Sequence, residues 1–153
     1  MNIPYYKQET SYTCGAACMR MFLESVGIKK SERQIEKLLG TNKVRGTWHR
    51  DFSRLAERYK LNHVTKRNSS IEMMKYYHKK GYTLIVSYFN KKENDGHYAI
   101  LRKIDKEYIY FYDPLSGPDH KYKLTTFKNI WYSDPKGDNE KRWFFAVMDS
   151  NGK

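Results

Sequence analysis

The sequence is poor in most features that would assign it to a special class. Two cysteines and four prolines in 153 residues leave neither a disulfide framework nor a proline-rich chain available. Cys14 and Cys18 stand at i and i+4 of an expected helix, a spacing ill suited to bridging each other. A reducing, cytoplasmic setting is the simpler expectation. Long apolar runs are absent: Leu84 to Val86, with aromatic flanks, falls far short of the ~20 residues a membrane helix needs. The start, Met1-Asn2-Ile3-Pro4-Tyr5-Tyr6-Lys7, lacks the charged opening and apolar stretch of a signal peptide. Repeats, low-complexity segments and linkers are missing too. With tyrosine set aside and glycine added, the apolar share is about 36%, below the ~45–50% usual for globular domains.

What is present offsets that shortage. Fourteen Tyr, seven Phe and three Trp make 16% of the chain aromatic, against the pattern of disordered sequences. These rings must supply much of the core. Lys and Arg number 29 against 17 Asp and Glu, a net charge of +12, which raises the question of nucleic-acid or anionic-membrane partners. The basic residues come as scattered pairs, among them Lys29-Lys30, Lys66-Arg67, Lys79-Lys80 and Lys91-Lys92, and no nucleic-acid motif accompanies them. Solvated surface is the expected role, and no specific nucleic-acid binding is expected. The length suits a single domain over residues 1–153.

The chain changes character near residue 81. Ala17, Cys18, Met21, Phe22 and Val26 follow helical spacing from Cys14 until Gly27. Ser31-Glu32-Arg33-Gln34 is a capping-box pattern ahead of Ile35, Leu38, Leu39 and Gly40. Trp48, Phe52, Leu55, Ala56 and Tyr59 predict a third helix, and Ser70 opens a shorter one running towards Gly81. Strands are predicted over Tyr82–Phe89, His97–Ile104, Tyr108–Tyr112 and Trp143–Met148, with a loop over Pro114–His120 and a helical turn over Thr125–Trp131. Helices first and an antiparallel sheet afterwards describe an α+β domain.

Cys14 stands where the first helix begins, before Gly15-Ala16-Ala17. Unpaired backbone N–H groups and the positive dipole end there stabilise a thiolate. A thiolate nucleophile needs a base, and the base needs an orienting partner. His97 opens one strand and Asp113 ends the next, with Asp105 midway between them. A two-residue connection would set them on opposite faces, whereas an odd-length connection or a bulge makes them neighbours. Asp105-Lys106-Glu107 suits a three-residue loop. Gln8, six residues before Cys14, can offer a side-chain amide to an oxyanion alongside the backbone N–H of Cys14.

Gln8-Glu9-Thr10-Ser11-Tyr12-Thr13-Cys14-Gly15-Ala16-Ala17-Cys18, then Gly96-His97-Tyr98-Ala99-Ile100-Leu101, then Tyr112-Asp113-Pro114, resembles the C39 peptidases. These are papain-like cysteine peptidase domains that process bacteriocin precursors at double-glycine leader sites. Gly46-Thr47, Leu84-Ile85-Val86, Phe127 and Trp131 extend the likeness over nearly the whole chain. The resemblance implies a papain-like fold, with N-terminal helices packed on a C-terminal antiparallel sheet. It makes Cys14 the nucleophile, His97 the general acid/base, Asp113 its orienting acid and Gln8 an oxyanion donor. The family usually has an acid just before the nucleophile, where this chain has Thr13. Its better-known members are fused to a membrane transporter, which this sequence does not show.

The expected activity is therefore a cysteine peptidase acting on a peptide or protein substrate, with cleavage after Gly-Gly as the family suggests. Neither metal nor cofactor is expected, since Cys-x-x-x-Cys is not among the strong zinc spacings. A separate transporter or an anionic surface is a candidate partner. Small substrate side chains would ask for a narrow slot walled by aromatics. An isopeptidase or acyltransferase would use the same four residues, and a catalytically silent peptide-binding module would keep only the fold. Trp48, Trp131, Trp143, Phe144 and Phe145 are expected in core or cleft wall. His49, His63, His78 and His120 have no partner that the sequence suggests.

Overall fold

The computed structural model describes residues 2–150; the expected domain limits, Met1 and Lys153, lie outside them. Five helices and six strands run in the order α1 (Cys14–Ser25), α2 (Glu32–Leu39), α3 (His49–Arg58), β1 (Asn62–Lys66), α4 (Ile71–Lys79), β2 (Thr83–Asn90), β3 (Asp95–Ile104), β4 (Tyr108–Asp113), β5 (Gly117–Lys123), α5 (Leu124–Ile130) and β6 (Phe144–Met148). The strands form one antiparallel sheet ordered β1-β6-β2-β3-β4-β5. This is the expected α+β class.

Local chemistry sets the helix ends. Ser31 accepts from Gln34 N at 3.1 Å while the Gln34 side chain accepts from Ser31 N at 2.9 Å, closing the capping box of α2. Gly40 ends that helix at φ +77°, a left-handed conformation that costs a residue without Cβ little. Ser70 caps α4 by accepting from Met73 N.

The middle strands separate two cores. Ile85, Tyr98, Ile100, Phe145 and Val147 face α1, α2 and α3, and pack on Met19, Phe22, Leu23, Ile35, Phe52 and Trp143. Leu84, Val86, Tyr88, Leu101, Phe111 and Phe144 face α4 and α5, and pack on Met74, Phe127 and Trp131. Burial on both faces explains the consecutive apolar residues Leu84–Val86 of β2 and the apolar run of β6. Phe144 and Phe145 fill opposite cores, so truncating either to alanine removes about 3–5 kcal/mol of stability. The expected core positions Trp131, Trp143, Phe144 and Phe145 are buried as read.

Two corrections concern the sheet edges. Residues 62–66 form β1, although only helices are expected before residue 81. The expected loop over Pro114–His120 gives way at Gly117 to β5. Both strands lie at the outer ends of the sheet. An edge strand has one backbone neighbour and needs no apolar run, and Gly-Pro-Asp-His-Lys-Tyr-Lys carries none.

Candidate active site

His97 sits opposite Tyr88 of β2, and Asp113 closes β4. Asp105-Lys106-Glu107 joins β3 to β4 as expected, but Asp105 N donates to Tyr108 O at 2.9 Å and the first pair beyond it, Ile104↔Ile109, has the register of an even-length turn. Such a turn alone would face His97 and Asp113 in opposite directions. The register runs Ile104↔Ile109 and Lys103↔Tyr110, then slips by one to Leu101↔Phe111 and Ile100↔Tyr112. The extra residue at this bulge, Arg102, restores the shared face. The two side chains meet: His97 Nε2 donates to Asp113 Oδ1 at 2.8 Å.

Asp113 is fully buried and well supplied with donors. Leu115 N and Ser116 N donate to Oδ1 at 2.9 and 3.0 Å, and the Tyr88 hydroxyl donates to Oδ2. Burial pushes its carboxyl up, but His97, Tyr88 and the Ser116 N–H outweigh that and hold it down at about 2. Burial pulls the His97 imidazole down, and its bonds and charge interactions with Asp113 and Cys14 raise it to about 10. His97 thus pairs with the carboxylate and lines the same cleft as Cys14. With Nε2 committed to Asp113, Nδ1 is the ring nitrogen left for the thiol.

Cys14 is the first residue of α1, whose first turn carries no acid. The N-terminal segment ties the Cys14 side of the site to the Asp113 side: Tyr5 donates to Asp113 O at 2.6 Å, and Gln8 N donates to Pro114 O at 2.8 Å. Gln8 Nε2 donates to Thr10 O at 2.8 Å, which fixes the amide end that carries hydrogens and leaves a second N–H for a ligand. Gln8 Oε1 is buried without a partner. Cys18, one turn along α1, is fully buried in the core, and burial pushes its thiol well up.

Gly15 explains the small residue after Cys14. A Cβ there would lie 2.7 Å from Thr47 Oγ1, 2.9 Å from Thr47 Cβ and 3.2 Å from Phe52 Cζ. Thr47 cannot yield easily, because its hydroxyl pairs with Thr41 Oγ1 at 2.6 Å. Gly15→Ala is expected to cost about 1–3 kcal/mol and to move the start of α1, lowering turnover as well as Tm. Thermal melts and kcat on the same preparation check this; an unchanged Tm and kcat contradict it.

A cleft of about 830 Å³ opens over these groups, lined by Gln8, Cys14, residues 43–49, His97, Ser133 and Asp134 among others. Its size is in the range of peptide and small-molecule sites. Tyr12, Trp48 and Tyr98 contribute rings, yet Lys43, Arg45 and Lys136 line it too, with Glu93, Asp95, Asp134 and Asp138. The expected aromatic slot is corrected to a mixed, charged cleft. Neither sign dominates its rim.

Several participants escaped the sequence reading. Tyr88 is one; a tyrosine inside a buried strand needs a hydroxyl partner, and that need was the available signal. Another is His49, which has partners after all. Its Nδ1 lies 2.8 Å from Glu140 Oε1, its Nε2 3.0 Å from Ser133 Oγ, and its ring stacks on Trp143 at 3.9 Å. Burial pulls its imidazole down. His49, Asp138 and Glu140 are the described residues whose atoms gather closely enough to hold a metal ion. Each is already engaged within the protein: His49 as above, Glu140 by Arg67 at 2.8 Å, and Asp138 by His49 N at 3.2 Å. The group pins the segment before β6 to the start of α3, which shapes the cleft wall.

Comparison with solved structures gives the same architecture. The peptidase domain of Streptococcus ComA, a bi-functional ABC transporter involved in quorum sensing, superposes at TM-score 0.76 with 16% identity, covering 97% of this chain and 100% of that one. A double glycine motif protease from an AMS/PCAT transporter, solved with its leader peptide, gives 0.72 with 18% identity over 97% and 93%. A C39-like peptidase from Bacillus anthracis gives 0.74 with 17% identity over 97% and 95%. No curated protein matches the chain. At these identities the superpositions establish the fold; the sequence signature adds kinship, since the profile of the Peptidase_C39 like family matches residues 1–137. The chain belongs to the Peptidase_C39 like family.

Proposed function

We propose that this protein is a cysteine peptidase that hydrolyses a peptide bond through Cys14, His97 and Asp113, with Gln8 as oxyanion donor. One observation carries the reading: His97, bonded to the buried Asp113 carboxylate at 2.8 Å, lines the same cleft as Cys14 and Gln8. Cys14 Sγ attacks the carbonyl carbon, and the carbonyl electrons move onto oxygen. The Gln8 amide and the Cys14 backbone N–H receive that oxyanion. His97 gives its proton to the leaving nitrogen, the C–N bond breaks, and a thioester remains on Cys14. The neutral imidazole then takes a proton from water, whose hydroxide attacks the thioester. Collapse releases a carboxylic acid and returns the thiolate–imidazolium pair. Asp113 holds the ring and offsets its charge throughout.

Gly-Gly peptides are the substrates to try first, because the family and the leader-bound double glycine protease point there. A transporter without its own peptidase domain is the partner class that the transporter-borne neighbours suggest. A reducing, cytoplasmic location accords with the free thiols of Cys14 and Cys18, and no helix among the described residues is long and apolar enough to cross a membrane. We take residues 1–153 as one domain, since β6 lies between β1 and β2 even though the family profile ends at 137. A panel of peptides with and without Gly-Gly, incubated with wild type and Cys14→Ala, tests the reading. Cleavage by wild type alone supports it, and equal cleavage by both overturns it. Product masses with added amines separate hydrolysis from acyl transfer.

A further inference from the structure

Glu32 opens α2 outside the group of residues just described, yet it is only 2% exposed, while Arg33 and Lys37 of the same helix lie at the surface. A carboxylate is kept from water at a cost unless donors meet it. The donors here come from the loop between Gln8 and Cys14. Glu9 N donates to both carboxylate oxygens, at 3.2 and 3.0 Å, and the Thr13 hydroxyl, which donates to Thr10 O at 3.3 Å, lies beside the same carboxylate. Glu9 adjoins the oxyanion donor and Thr13 adjoins the nucleophile. The chain of contacts continues inward. Thr13 Oγ1 accepts from Thr10 N at 3.1 Å and lies 2.8 Å from Thr10 Oγ1, and Thr10 O receives the Gln8 Nε2 hydrogen at 2.8 Å.

We propose that Glu32 is a positioning residue for the reaction: it holds the 8–14 loop at Glu9 and so aims the Gln8 amide and the Cys14 N–H at one oxyanion. The inference rests on the peptidase reading and deepens it. Two donors on separate residues act together only if their spacing is held, and a displacement of about 1 Å costs up to about a hundredfold in rate. Glu32 supplies that hold without touching substrate. A defect at Glu32 therefore belongs to the transition state and runs through Gln8.

The test is a double-mutant cycle between Glu32→Ala and Gln8→Ala on a peptide that wild type cleaves, read as kcat and KM separately. Iodoacetamide alkylation of Cys14 is measured alongside, because alkylation builds no oxyanion. Glu32→Ala is expected to lower kcat at least about tenfold with KM within about twofold, and to cost less than about threefold when Gln8 is already alanine. Alkylation should stay within about threefold of wild type. Glu32→Gln, which keeps an acceptor for Glu9 N, should recover part of the loss. Thr13→Val, which removes the hydroxyl between Glu32 and Thr10 but keeps the shape, should show a smaller loss with the same kcat signature. These two variants decide the matter if Glu32→Ala does not fold. Losses that multiply in the Gln8→Ala background, a loss carried by KM, or alkylation falling in step with kcat would each make Glu32 merely structural. Any of these beside an active wild type overturns this inference alone. A wild type that cleaves no peptide removes the peptidase reading, and this inference with it.

Discussion

Cys14→Ala is expected to reduce peptide turnover by at least about four orders of magnitude, to the level that binding alone supports. No neighbouring group can take over. Cys18, the other thiol, lies fully buried in the core one turn away, and burial keeps it in the thiol form. Stability should change little, because Cys14 is only partly buried and alanine suits the start of a helix. The loss should therefore appear in kcat while the melting temperature stays near that of wild type. A variant that keeps even a hundredth of the wild-type rate would show that the reacting group lies elsewhere.

Asp113→Asn carries the second large effect, about 10²–10⁴ in kcat, with a change in pH behaviour that Cys14→Ala lacks. Asparagine keeps the shape and still accepts from the Leu115 and Ser116 N–H groups, but it loses the charge that balances His97. The signs follow from the shifts. His97 is raised to about 10, so its contribution to stability is complete below about 6.5 and fades as pH rises through 10. Asp113 is lowered to about 2, so its contribution is complete above about 4 and fades as pH falls through 2. Wild type should therefore lose stability from this pair on both sides of a plateau at mildly acidic pH. In Asp113→Asn the imidazole drops back towards its ordinary range. The alkaline limb of kcat/KM then moves to lower pH, and Tm varies less between pH 7 and 10. An unmoved alkaline limb would mean that Asp113 does not set the protonation of His97.

How much of this could be read beforehand divides by the kind of information involved. Local signals sufficed for the helices: the Ser31–Gln34 box, Gly40, and the apolar stripe from Ala17 to Phe22 each act within a few residues. Doubly buried strands showed as apolar runs. Polar edge strands did not, since β1 and β5 exist because a neighbour offers them hydrogen bonds. The four site residues were legible as types in an order. The device that joins two of them was not: the bulge at Arg102 depends on how two strands settle against each other, and nothing in Leu101-Arg102-Lys103 announces it. Tyr88 and Glu32 were hidden for the same reason. Each is an ordinary strand or helix residue until the fold brings a carboxylate or a loop to it.

The rate of Cys14 alkylation by iodoacetamide, followed from pH 4 to 10 in wild type and in His97→Ala, is the most direct probe of the pair at the centre of the site. Wild type should be alkylated faster than His97→Ala throughout the neutral range, because the imidazole beside the sulfur assists its attack. Identical rates for the two proteins at every pH would contradict the Cys14–His97 pair.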